Sequence, residues 1–183
     1  MATGSRNRPR DFCAGASYIT GMYDFAPQAG QAKPELYREL REGALALVQG
    51  EPDAIANMAN LAALIGMFVA DLNWAGFYRM VDGELVLGPF VGKPACIRIP
   101  LGRGVCGTAA ERGETQLVRD VHAFPGHIAC DATSRSELVV PVIVDGAVIA
   151  VIDLDSPTPA RFDAEDAAGI EALAAAIAPH IQP

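Results

Sequence analysis

The sequence predicts one α+β domain in which helices flank a mainly antiparallel sheet of about six strands. Three observations carry that expectation. Two segments with helical apolar spacing come first, a cluster of short β-branched and aromatic runs follows, and one amphipathic segment closes the chain. Two Asp-Gly pairs, Asp82-Gly83 and Asp145-Gly146, sit between such runs where a two-residue hairpin turn would fall. The chain is 183 residues long with 51% hydrophobic content, enough for one core and short for two.

The elements follow in order. Residues 1–33 lack a sustained period and read as a flexible N-terminal extension, leaving 34–183 as the single folded domain. Leu36, Tyr37, Leu40, Ala44, Leu45 and Val48 recur at three- and four-residue steps, which predicts a helix from Pro34 to Val48 with Gly50 at its exit. Asp53 caps a second helix to about Val69. Strands are expected at Trp74–Met80, Glu84–Phe90, Ala95–Ile99, Thr115–Val118, Glu137–Val144 and Ala147–Asp153. A short helix from Val105 to Arg112 interrupts them, as does an irregular loop from Asp120 to Ser136. A last helix covers Asp163–Ile177.

Composition narrows the function. Fourteen basic against twenty-two acidic side chains give a net charge of −8, which argues against nucleic acid or an anionic membrane as partner. No apolar run is long enough to cross a bilayer, and Arg6, Arg8 and Arg10 precede no apolar signal core, so a cytoplasmic location is expected. Cys13, Cys96, Cys106 and Cys130 form no CxxC pair, and His122, His127 and His180 lack zinc-ligand spacing, so neither a metal nor another cofactor is expected.

Three segments hold the candidate chemistry. In residues 87–110, Cys106 enters a short helix just after Gly102-Arg103-Gly104. A helix N-terminus and an arginine both stabilise a thiolate, so the local sequence argues for a depressed pKa, with buried packing as the other use of such a cysteine. Cys96 is placed at a strand edge. In residues 119–141, Cys130 lies near His127 and Asp131, ahead of Ser134 and Glu137; a Cys-His pair and imidazoles that only bond the loop backbone both remain open. In residues 151–157, strand alternation puts Asp153 and Asp155 on one side, either at a solvated edge or facing a cation or shared proton.

These segments also carry a resemblance. NWAGFYR at 73–79, GPF followed by GKPACIRIP, GRGVCG, DVHAFPGHIACD, SRSE and VIDLDSP resemble the free methionine-(R)-sulfoxide reductases, a catalytic branch of the GAF-domain family, over about residues 34–180. The resemblance implies a GAF-like six-stranded antiparallel sheet with the N- and C-terminal helices packed on one face, a small pocket on the other and a homodimer. It implies free methionine sulfoxide of R configuration as substrate and a thioredoxin-like dithiol as reductant. By the same resemblance Cys130 is the attacking thiol and Cys96 the resolving one, with Cys106 a supporting or alternative thiol. Glu137, Asp153 and Asp155 would hold the substrate ammonium and protonate the sulfoxide oxygen, and Trp74 and Tyr78 would pack on the S-methyl group. Cys13 inherits no role. The rival expectations are a GAF sensor binding a cyclic nucleotide or similar small ligand, which has no need of three site cysteines, and a structural dimerisation module, which leaves the carboxylates unexplained.

Overall fold

The computed structural model describes residue 27 and residues 30–126 and 132–182, so Cys13, His127, Cys130 and Asp131 lie outside the described residues. In chain order the elements are α1 (Lys33–Val48), α2 (Ala54–Phe68), β1 (Trp74–Val81), β2 (Glu84–Gly92), β3 (Arg98–Pro100), α3 (Gly104–Arg112), β4 (Gln116–Val118), β5 (Ser136–Val144), β6 (Ala147–Ser156) and α4 (Ala164–Ile177). The six strands form one sheet in the order β3-β2-β1-β6-β5-β4, with every neighbouring pair antiparallel.

Local chemistry explains most of these boundaries. Asp53 accepts from the backbone N–H groups of Ile55 and Ala56 at 2.9 and 2.8 Å and so starts α2. Asp163 and Asp166 form a reciprocal capping box that starts α4. Both Asp-Gly pairs close two-residue hairpins with positive φ at each residue, 51° and 83° at Asp82-Gly83 and 50° and 80° at Asp145-Gly146. That is the type I′ turn, whose twist matches that of the strands it joins.

Strand alternation then divides the sheet into two faces. Ala75, Phe77, Leu138, Val140, Ile152 and Leu154 point toward α1, α2 and α4 and build the main core with them. Trp74, Tyr78, Val139 and Val151 point the other way, into a second core closed by Val105, Cys106 and Ala109 of α3. The N- and C-terminal helices thus share one face as expected, but the opposite face carries a helix as well as loops. The Asp120–Ser136 stretch is also less irregular than expected, because Asp120 caps a 3-10 turn at Val121–Ala123.

Two strand boundaries differ in ways that matter for function. The strand expected at Ala95–Ile99 is displaced to Arg98–Pro100, because the carbonyls of the preceding segment are taken by side chains. Trp74 Nε1 donates to Lys93 O at 3.1 Å and Tyr78 Oη donates to Cys96 O at 3.0 Å. Cys96 therefore belongs to a strap across the sheet, and the expected position at a strand edge is corrected. Strand β6 runs three residues further than expected, pairing Asp155 with Trp74 on one side and Glu137 on the other. Asp153 is likewise interior, between Gly76 and Val139. Gly76 is required there by a close crossing, since a Cβ at this position would lie 2.4 Å from Phe90 Cβ.

Candidate functional site

The second face holds a cavity with about 560 Å³ of atom-free space, its mouth included. Trp74 and Tyr78 from β1, Cys106 from α3, Glu137 from β5 and Asp153 and Asp155 from β6 all line it. Register is the reason these carboxylates converge. Residues directly opposite in an antiparallel pair share a face, so Trp74, Asp155 and Glu137 form one row and Gly76, Asp153 and Val139 the next.

One wall is aromatic. The Trp74 ring stacks on Tyr78 at 5.9 Å between centroids and on Phe90 at 5.2 Å. Phe90 was not singled out from the sequence, although its place in the alternation of β2 carried the signal. The two hydrogen bonds to Lys93 and Cys96 fix the strap to this wall, so Cys96, half-buried, neighbours the cavity without lining it. Lys93 lines the cavity as well, and nothing in the sequence pattern marked it. Ser134, which accepts a 3.0 Å hydrogen bond from Asn73 Nδ2 just ahead of β1, lines the cavity too.

The adjoining part of the lining is acidic and buried. Cys106 Sγ lies 3.8 Å from Glu137 Oε1, and Cys106, Glu137 and Asp153 bring one ligating atom each within 4.8 Å of one another. Glu137 and Asp153 are each 6% exposed, and Asp153 Oδ1 has no hydrogen-bond partner. A buried carboxylate oxygen without a donor costs several kcal/mol when charged, so such a group either keeps a proton or awaits a cation.

The electrostatics follow from that burial. Burial raises the Asp153 carboxyl to about 7, against the opposing pull of hydrogen bonds with Cys106 and Glu137. Burial also pushes Glu137 well above the usual carboxylate range, with the charges of Asp153 and Asp155 adding to it. The pair therefore keeps a proton at neutral pH. Cys106 is pushed well above an ordinary thiol, first by burial and then by the charges of Asp153 and Glu137. This corrects the expectation of a depressed thiol pKa. A helix N-terminus offers a thiolate about 0.3–1 kcal/mol, up to ~2 in favourable sites. Two carboxylates near 4 Å oppose it by roughly 4 kcal/mol each when charged at an effective dielectric of 20, before burial is added.

Among the expected site residues, the structure brings together Cys106, Glu137, Asp153, Asp155, Trp74 and Tyr78, puts Cys96 in the adjoining strap and leaves Cys130 outside the described residues. The reading of Asp153 as a solvated edge fails, since β6 is an interior strand.

Comparison with known proteins adds four findings. A model of the GAF domain matches residues 56–182. Over 143 residues the chain is 51% identical to the free methionine-R-sulfoxide reductase of Escherichia coli, covering 78% of this chain and 87% of that one. Among solved structures, the free methionine-R-sulfoxide reductase of Neisseria meningitidis in complex with its substrate superposes with a TM-score of 0.82 at 44% identity, covering 87% of this chain and 96% of that one. A Burkholderia vietnamiensis protein provisionally described as a GAF sensor gives 0.79 at 60% identity, covering 82% and 96%.

Proposed function

Because the chain belongs to the GAF-domain family and, within it, to the free methionine-R-sulfoxide reductases, we propose that it reduces free L-methionine-(R)-sulfoxide to L-methionine in the cavity between α3 and the sheet. The observation that carries this reading is a single cavity whose lining joins buried carboxylates, one of them with an undonated Asp153 oxygen, to the stacked rings of Trp74 and Tyr78. The two walls suit the two ends of the substrate. An ammonium group supplies a donor to the unpartnered Asp153 oxygen and a positive charge beside Asp155, and the S-methyl group packs on Trp74 and Tyr78.

The chemistry needs a thiolate at the sulfoxide sulfur and an acid at its oxygen. We assign attack to Cys130. Its rival Cys106 is held protonated by burial and two carboxylates, which suits a hydrogen-bond donor better than a nucleophile. Cys130 is four residues from the cavity residue Ser134, a tether of at most ~14 Å. Glu137, whose carboxyl is pushed well above the usual range by burial and by the charges of Asp153 and Asp155, is the acid, and Asp153 is left to the ammonium. Attack transfers the oxygen to Cys130 as a sulfenic acid and frees methionine. Cys96 then displaces that oxygen as water, forming a Cys96–Cys130 disulfide, and an external dithiol of the thioredoxin type returns both thiols.

A cycle of this kind runs in a reducing compartment, which supports a cytoplasmic location, and among the described residues no helix is long and apolar enough to cross a membrane. The reading includes a homodimer, which light scattering of the purified chain tests. The deciding experiment is a stereoresolved assay of the reduced protein with dithiothreitol. Methionine released from the free R epimer and not from the S epimer supports the reading. Equal turnover of both, or none of either, overturns it and leaves a ligand-binding GAF module.

A further inference from the structure

We propose that Cys106, Glu137 and Asp153 form a binding site for a thiophilic divalent cation of the zinc and cadmium class, and that the cation and the substrate exclude one another. Sequence spacing hid this site, because its ligands come from α3, β5 and β6 and are 31 and 16 residues apart along the chain. In the folded protein one ligating atom of each lies within 4.8 Å of the others. The undonated oxygen of Asp153, in a residue 6% exposed, points independently to a missing positive partner.

The donor set selects the ion. Calcium takes six to eight oxygens and magnesium a near-octahedral oxygen shell, and one sulfur with two carboxylates provides neither. Zinc is four-coordinate with bonds of about 2.3 Å to sulfur and 2.0–2.2 Å to oxygen, so its ligand atoms stand roughly 3.6 Å apart. The Cys106 Sγ to Glu137 Oε1 distance of 3.8 Å needs a shift of a few tenths of an ångström, and the rest of the set a shift of about 1 Å within rotamer wells. The fourth position opens into the cavity, for water. The cation takes the place of one proton on the thiol and one on the carboxyl pair, so charge balances. Three anionic ligands against two positive charges leave one negative charge, beside Arg103 and Lys93, which line the same cavity.

Exclusion follows from geometry, since a metal at these carboxylates occupies the end of the cavity assigned to the ammonium. That consequence rests on the reductase reading, whereas cation binding does not. The direct test is a cadmium titration of the reduced protein in buffer free of small thiols, read by the ultraviolet thiolate-to-cadmium absorption and by circular dichroism for folding. A Cys13→Ser, Cys96→Ser, Cys130→Ser protein, in which Cys106 is the sole thiol, should keep the absorption at one ion per chain. Adding Cys106→Ala should abolish it, and Asp153→Asn should weaken binding at least tenfold. Free methionine, which cannot turn over, should raise the cadmium concentration for half-saturation linearly with methionine concentration, and no shift at saturating methionine overturns the exclusion. Loss of the absorption in a folded triple variant overturns the proposal. If that variant does not fold, alkylation footprinting of the wild-type chain decides, because cadmium must then protect Cys106, and protection confined to Cys96 and Cys130 overturns it. A protein that binds cadmium through Cys106 yet fails the stereoresolved assay refutes the reductase reading and leaves the cation site standing.

Discussion

Replacing Asp153 with asparagine is expected to stabilise the ligand-free protein above neutral pH while removing most of its activity. The carboxyl is held at about 7 in the folded chain against 3.8 for an ordinary aspartate. Below about pH 3.8 it is protonated in both states, and its ionisation costs the fold nothing. Between those values the unfolded chain gives up the proton and the native chain keeps it, so the native state binds more protons and stability falls as pH rises. Above about 7 the loss is complete. At 1.36 kcal/mol per unit, the part that falls between pH 4 and pH 8 amounts to about 3–4 kcal/mol. Asparagine has nothing to ionise, and its amide can donate to Glu137. Urea unfolding of the reduced proteins at pH 4 and pH 8 should show the two within about 1 kcal/mol at the lower pH and the variant ahead at the higher one. For a chain of this size the gap corresponds to roughly 10 °C in Tm. Parallel pH profiles for the two proteins, or a variant less stable at pH 8, would refute the assignment of a buried proton to this wall.

Three further outcomes follow from the same geometry. N-acetyl-methionine-(R)-sulfoxide lacks the ammonium, and losing one charge-assisted bond in a buried site costs roughly 2–4 kcal/mol, so its kcat/KM should fall by about one and a half to three decades, whereas equal efficiency would leave the carboxylates without a role in binding. Iodoacetamide should modify Cys106 slowly at neutral pH and faster as pH rises, read by peptide mapping, because burial and the carboxylates push its thiol up. Gly76→Ala drives a Cβ to 2.4 Å from Phe90 and should cost about 1–3 kcal/mol. It should also shift the fluorescence of Trp74, the only tryptophan in the chain, and an unchanged spectrum would contradict the packing described.

What the sequence revealed and what it concealed divide by distance along the chain. The Asp-Gly hairpins were legible because their conformation is decided within two residues, and the helix start at Asp53 because the N–H groups it accepts from lie two and three residues on. Alternation at Asp153 and Asp155 announced a shared face correctly. Whether that face was wet depended on β1 and β5 flanking β6, which no local pattern states. Cys106 failed for the same reason. Its own neighbours argue for a thiolate, and the groups that outweigh them stand 31 and 47 residues away. The Cys96 segment reads as a strand until Tyr78 and Trp74, 18 and 19 residues before the carbonyls they bond, are seen to claim its acceptors.

The pairing of Asp153 has a consequence for how such a chain can drift. Apart from replacing the acid itself, a chain can satisfy a buried carboxyl by placing an amide or a base directly opposite it on an adjacent strand. Here one adjacent position is Gly76, where Phe90 leaves no room for any side chain, and the other is Val139, sealed in the second core. Neither neighbour can become a donor without breaking the packing that makes the wall. The undonated oxygen of Asp153 is thus shielded on both adjacent strands by steric exclusion, and a lineage that keeps this aspartate in this sheet keeps an appetite for a positively charged visitor along with it.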